Sequence, residues 1–343
     1  MQQTCIDRTK NMHRKNNNDE GVGDFRFKAP SDGDDNNVAA ITEDVDRVAI
    51  SDNNLSAEKQ QTCSNCGKEG TNLNICNKCK IVNYCNAACK KKHRKKHKKK
   101  CEERVAELHE EALFKDVDPD ECSICCLPVL DASELTFKAC CGKDICNGCN
   151  YAMIAESFGR GKLSICPYCR EPRSKSMEEE NERIKKCMDS GNADAFTMMG
   201  NAYANGDMGM PRDRAKANEL YLRAGELGCA TAYFNLGNVY RLGAGVEMDM
   251  KKAKHFYELS AMKGDVEARQ NLGAFEGQAG NNERAYKHYI VAARAGHTPC
   301  MDMVKKGFMI GYVTKDEYEN TLRAHKKRQD EAKSDARDIA NRL

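Results

Sequence analysis

Sixteen of the chain's 20 cysteines fall in two short clusters, residues 63–101 and 122–169, and most stand in pairs separated by two residues. That spacing constrains the fold more than any other feature of the sequence. A two-residue loop lets both sulfurs reach one tetrahedral ion, whereas a disulfide framework has no reason to favour it. The N-terminus (MQQTCIDRTKNMHRKNNN) has no apolar stretch of a secretory signal, so the thiols are expected to remain reduced, in an intracellular, cytoplasmic or nuclear protein. With 31% charged residues, no Trp and a mean hydropathy of −0.75, one large core is excluded across 343 residues, and several small units are expected. No run approaches 18 apolar residues, which excludes a membrane-spanning helix.

The first cluster offers Cys63, Cys66, Cys76, Cys79, Cys85, Cys89, His97 and Cys101, spaced C-x2-C-x9-C-x2-C-x5-C-x3-C-x7-H-x3-C. Eight ligands mean two ions. His97 and Cys101 stand four apart, so on a helix they project from one face; His93 shares that face and reads as surface. The arrangement resembles a MYND-type zinc finger at all eight ligand positions, with Tyr84 before the fifth. The resemblance implies interleaved sites, Cys63, Cys66, Cys85 and Cys89 at one zinc and Cys76, Cys79, His97 and Cys101 at the other. MYND modules typically dock proline-rich peptides using a Gln after the sixth ligand and a Trp further along; here those places hold Lys90 and Arg94. Residues 90–100 (KKKHRKKHKKK) form a basic run, readable as a nuclear-import or phosphate-binding signal but better as a solvated helix face, because no aromatic residue interleaves the lysines to stack on bases.

The second cluster offers Cys122, Cys125, Cys140, Cys141, Cys146, Cys149, Cys166 and Cys169. It resembles a RING-type finger in its outer C-S-I-C and C-P-Y-C pairs, its middle C-G-K-D-I-C-N-G-C and a central spacer, residues 150–165, able to form a helix. The implied cross-brace puts Cys122, Cys125, Cys146 and Cys149 on one zinc and Cys140, Cys141, Cys166 and Cys169 on the other. Where the family has a histidine this chain has Lys143, so the adjacent Cys140 supplies the missing thiolate; Cys126 is a spare thiol and the alternative to Cys125. RING modules catalyse by positioning a ubiquitin-charged conjugating enzyme, with no covalent intermediate. The resemblance carries Ile124 and Pro167 onto the conjugating-enzyme patch and Arg170 onto the bridge to ubiquitin, with Phe158 or Leu163 replacing the absent Trp.

The remainder is repetitive. Met199-Gly200, Leu236-Gly237 and Leu272-Gly273 recur at intervals of 37 and 36, followed by Tyr221, Tyr257 and Tyr289 in equivalent places and closed by Gly228, Gly264 and Gly296. The third unit is short by about four residues between its helices, Gln278 to Asn281. The units resemble Sel-1-like repeats, relatives of the tetratricopeptide class, and the combination with RING-like cysteines resembles multi-domain proteins of unicellular algae. Thr314 and Glu317 form a capping-box signature for a last long helix.

The expected organisation is therefore a disordered region (1–62), a MYND-type finger (63–101), a linker helix (102–120) and a RING-type finger (121–171). A charged connector with a capping half-repeat (172–192), three repeats (193–229, 230–265, 266–297) and C-terminal capping helices (298–343) complete it. In fold class this is two small zinc-stabilised cross-brace fingers plus an all-α helical-repeat solenoid, holding about four zinc ions. The function expected is a RING-type ubiquitin ligase whose repeats recruit a substrate protein. A non-catalytic zinc-binding scaffold is the runner-up, and nucleic-acid binding ranks last.

Overall fold

The computed structural model describes residues 61–116, 118–159, 165–340 and 342. The expectation of disorder over 1–62 lies outside the described residues apart from Gln61 and Thr62, which form the first strand. Phe158 (its side chain) and Leu163 also lie outside them. The described residues show the expected fold class, two cysteine-rich fingers and an all-α repeat array. No described helix is long and apolar enough to cross a membrane.

The chain divides into two compact units, one ending at Lys115 and one running from Asp116 to Leu343. In the first, β1 (Gln61–Thr62) pairs antiparallel with β2 (Glu69–Gly70), and β3 (Asn74–Ile75) with β4 (Asn83–Tyr84). A single helix, α1 (Ala87–Leu113), follows. Asn86 caps it, its side-chain oxygen accepting from the Cys89 N–H at 2.9 Å. The separate linker helix expected over 102–120 is the second half of α1: no Gly or Pro interrupts Lys90–Glu111, so nothing stops the helix after Cys101.

In the second unit, β5 (Leu135–Lys138) pairs antiparallel with β6 (Lys143–Cys146), and α2 (Asn147–Gly159) leaves β6 directly. Ten helices follow. The half-repeat read at Lys186–Gly191 is the end of α3 (Met177–Asp189), an amphipathic helix capped by Ser176 with Ile184 fully buried. The repeats are the pairs α4 (Ala193–Asn205) and α5 (Arg214–Glu226), α6 (Ala230–Leu242) and α7 (Met250–Met262), and α8 (Val266–Gln278) and α9 (Asn282–Arg294). Then come α10 (Thr298–Met309), α11 (Lys315–Ala332) and α12 (Asp335–Ala340), with the Thr314–Glu317 capping box formed as expected.

The repeated Leu-Gly and Tyr are one device. Gly200, Gly237 and Gly273 lie on the first helix of each pair, where a Cβ would strike the ring of Tyr221, Tyr257 or Tyr289 on the second. Each Tyr is buried. The hydroxyls of Tyr221 and Tyr257 donate to the Asn that follows the glycine, Asn201 and Asn238, at 2.7 Å. A missing side chain thus admits a ring, and a hydrogen bond fixes it.

Candidate metal centres

The 16 residues read as ligands gather into four groups of four, in the cross-brace order. These are Cys63, Cys66, Cys85 and Cys89; Cys76, Cys79, His97 and Cys101; Cys122, Cys125, Cys146 and Cys149; and Cys140, Cys141, Cys166 and Cys169. Within each group the ligand atoms all lie within 4.8 Å of one another. Individual edges measure 3.6 Å (Cys66–Cys85), 3.9 Å (Cys76–Cys101), 3.8 Å (Cys125–Cys146) and 3.9 Å (Cys141–Cys166). The edge of a tetrahedron of thiolates around zinc, at a metal–sulfur distance of about 2.3 Å, is about 3.8 Å. The Cys79 sulfur and His97 Nε2 stand 3.3 Å apart, consistent with a shorter metal–nitrogen bond. Each group can hold a metal ion. Cys140 belongs with the fourth, and Cys126 stands outside the third.

Local backbone geometry builds these groups. After the second cysteine of four C-x2-C pairs the chain turns through a left-handed residue, Gly67 (φ 74°), Lys80 (57°), Cys126 (56°) and Arg170 (64°). Each donates its N–H back to the carbonyl of the first cysteine, at 2.9, 3.0, 2.9 and 2.8 Å respectively. The turn aims both sulfurs inward. Only Gly67 adopts this conformation without steric cost. Arg170, read above as a contact to ubiquitin, is thus exposed and held in a backbone conformation unfavourable to its Cβ. Arg170→Gly is expected to stabilise the second finger by about 1 kcal/mol, read as slower metal loss to a chelator; faster loss would show that the arginine side chain is in use.

Electrostatics point the same way. The N–H of Cys85 holds the Cys63 thiol down at about 6, and a hydrogen bond from Cys125 brings Cys122 to about 6. Burial raises Cys76, but the Cys79 N–H and the His97 ring outweigh it and leave it near 6. Their neighbours move the other way: hydrogen bonds to Cys89 and Cys66 push Cys85 up to about 12, and burial beside Cys76 does the same to Cys101. Four thiols this close cannot all ionise unless a cation stands among them.

His93, read from sequence as surface, is half-buried: its Nδ1 lies 3.1 Å from the Tyr84 hydroxyl and its ring stacks on that of His97. Tyr84 is 1% exposed, so the pair orients a ligand ring from behind. The four-residue spacing of His93 and His97 was the sequence signal for it.

The second finger is built into the repeat array at both ends. Beside the fourth group, the Cys187 thiol donates to the Ala139 carbonyl at 3.2 Å, and Asn192, the N-cap of α4, donates to the Gly142 carbonyl at 2.9 Å. Phe137 and Ala139 join the core formed by Ile184, Ala195 and Met199. At the other end Leu130 packs on Gly296, Arg294 pairs with Asp116 at 3.5 Å, and Arg328 pairs with Asp118. Helix α12 packs on α2. Ile124 is half-buried in the finger's own core, and its N–H donates to the Cys122 sulfur at 3.4 Å. Pro167 is half-buried as well.

The family model for the MYND finger matches residues 63–101, and that for the Sel1 repeat matches residues 193–229, 230–265 and 266–297. Two curated proteins of Arabidopsis thaliana are similar. The ERAD-associated E3 ubiquitin-protein ligase component HRD3A is 30% identical over 126 residues, 35% of this chain and 17% of that protein. Component HRD3B is 28% identical over 120 residues, 35% of this chain and 20% of that protein. The chain thus spans about a fifth or less of the length of these relatives. Among solved structures, a Sel1 repeat protein from Oxalobacter formigenes is 27% identical over 52% of this chain and 70% of its own, with a TM-score of 0.40. The protective antigen c5321 of uropathogenic Escherichia coli, which displays an SLR fold, is 28% identical over 45% of this chain and 33% of its own, with a TM-score of 0.37.

These findings correct the expectation of a RING-type ubiquitin transferase. The similarity runs to Sel1-repeat proteins and to proteins named as ligase components, which favours the adaptor alternative over the enzyme. A physical reason accompanies the correction. Ile124 packs partly into the finger's own core, and the central helix that should line the contact groove is packed against α12.

Proposed function

We propose that this chain is a non-catalytic, zinc-binding adaptor that presents its helical repeats to a partner protein, with both fingers serving as structural elements. Zinc is the metal the donor sets favour, because three thiolates with an imidazole, or four thiolates, in a closed tetrahedron leave no open position for a reacting group. Such thiolates suit a reducing, intracellular compartment, cytoplasmic or nuclear. The observation that carries the reading is the docking of the second finger against the N-terminal ends of α4 and α10, which leaves the opposite edge of the array for a partner. That edge, at the C-terminal ends of α6 and α10, displays Leu242, Met248, Met309 and Ile310, each more than 60% exposed. Flexible Met and Leu side chains suit an adaptable protein contact. Similarity to named ligase components agrees with a role in carrying another protein.

The test has two arms. Elemental analysis of the purified chain is expected to find four zinc ions, one per group. With a panel of conjugating enzymes, that zinc-loaded protein is expected to build no ubiquitin chains. Chain formation abolished by Ile124→Ala or Arg170→Ala would overturn the adaptor reading, and fewer than four ions would overturn the assignment of the groups.

A further inference from the structure

Four thiolates around one divalent ion leave two net negative charges, and burying an unbalanced charge is costly. The fourth group has a cation from its own finger. Lys138 on β5, half-buried and donating to Asn150 at 2.6 Å, lies in the field of Cys166 and Cys140. For the third group, a cation arrives from the far end of the chain.

Arg337 stands on α12, about 200 residues beyond the ligands, and is only 6% exposed. Its guanidinium donates to the carbonyls of Pro128 at 2.6 Å, Ala332 at 3.0 Å and Leu127 at 3.1 Å, and to the sulfur of Cys125 at 3.7 Å. Pro128 and Leu127 belong to the segment that follows the Cys122–Cys125 knuckle, so one side chain grips both the ligand and its supporting turn. A planar fork of donors does this; a lysine ammonium would not reach three carbonyls and a sulfur at once. A second observation is independent of the charge. Gly148 lies between the ligands Cys146 and Cys149, and a Cβ there would stand 2.7 Å from the backbone nitrogen and Cγ of Arg337. The helix that carries the ligand Cys149, just after Cys146 on β6, has been left bare where α12 comes down.

We propose that Arg337 is the counter-ion of the third metal group, and that α12 is thereby part of that metal site. The inference rests on the reading that the groups hold zinc. Charge-assisted hydrogen bonds to a ligand sulfur steady the metal–thiolate bond, and the metal in return makes the sulfur a strong acceptor for Arg337. Retention of metal and docking of α12 are then two sides of one equilibrium, so each strengthens the other by the same factor.

The test uses the full chain loaded with zinc, and in parallel with cobalt(II) as a spectroscopic substitute. In Arg337→Gln and Arg337→Lys, one of the four ions is expected to pass to a competing chelator about 10- to 100-fold faster, the other three serving as internal standards. The cobalt–thiolate charge-transfer band is expected to shift in Arg337→Gln, a change that loss of packing alone would not produce. In the wild type, removal of metal is expected to raise amide hydrogen exchange across residues 335–340. Unchanged release and an unshifted band in both variants would overturn the proposal, as would exchange in α12 that ignores metal. A wild-type chain without metal would instead overturn the zinc reading beneath it. Should Arg337→Gln fold poorly, Arg337→Lys keeps the charge and decides the matter by its release rate.

Discussion

Stripping metal from this chain is expected to unfold the first finger completely while leaving the repeats helical. The buried residues of that finger are Cys63, Cys76, Cys79, Tyr84 and Cys89, so the core is one tyrosine ring and the ligands themselves. Each structural zinc contributes on the order of 10 kcal/mol to folding in such a unit, and little else is available to replace it. The basic run sharpens the effect. Between residues 90 and 100 every position is exposed except His93 and His97, nine of the eleven are Lys or Arg, and like charges four apart destabilise a helix. Among the described residues the ion pairs on the lysines of this run, Lys98–Glu102 and Lys99–Glu103, are both long at 3.9 Å and highly exposed, and they contribute little. On the reading that the groups hold zinc, metal bonds at Cys89, His97 and Cys101 would anchor the first half of α1. In amide-resolved NMR, chelator should collapse the signals of residues 61–113 to random-coil positions and spare those of 193–297. A first finger that keeps its dispersed spectrum without metal would refute this account.

The second large effect concerns the repeats. Gly237→Ala is expected to destabilise the array by about 3 kcal/mol, at the upper end for overpacking a core. A Cβ at this position would lie 2.5 Å from two atoms of the Tyr257 ring, which is fully buried and held by hydrogen bonds to Asn238 and Arg241. Neither helix can retreat without breaking contacts to the next. Thermal unfolding should show a fall in Tm of about 6–12 °C for a unit of this size. Gly277→Ala supplies the contrast. It lies on α8 with nothing nearer to its missing Cβ than Ala285 at 3.9 Å, so the added methyl should raise stability by about 0.5–1 kcal/mol. A loss in Gly237→Ala no greater than an ordinary surface change would show that the glycine–tyrosine contact is not what holds the pair.

Much of this was legible in the sequence. Metal-ligand spacing is a local property, because two residues between cysteines dictate a turn that can be read without knowing the rest of the fold. The repeats were legible because Gly237 and Tyr257 recur, as Gly200 with Tyr221 and Gly273 with Tyr289, and recurrence survives without a template. Contacts made once, between distant segments, leave no such mark. Arg337 lies in a polar C-terminal stretch that resembles any solvated helix, and Asn192 and Cys187 carry no sign that they reach Gly142 and Ala139. The one hint was Gly148, a glycine in the first turn of a helix with no need for a left-handed backbone. The transferase expectation failed for a related reason: a local motif matched, but whether the central helix beside it is free depends on what the whole chain lays over it, and here α12 packs on that helix.

Most helical-repeat proteins change length readily, gaining or losing units by duplication, because each unit meets only its neighbours. This array has given up that freedom. The second finger touches α3 and α4 before the first repeat is complete and α12 after the last has ended, and Asp118 just ahead of the finger pairs with Arg328 on α11. An inserted repeat would carry Arg337 one step away from its seat on the finger, and a deleted one would drive it into the finger. The finger acts as a gauge block, and descendants of this chain can vary their loops and exposed faces far more easily than the number of their repeats.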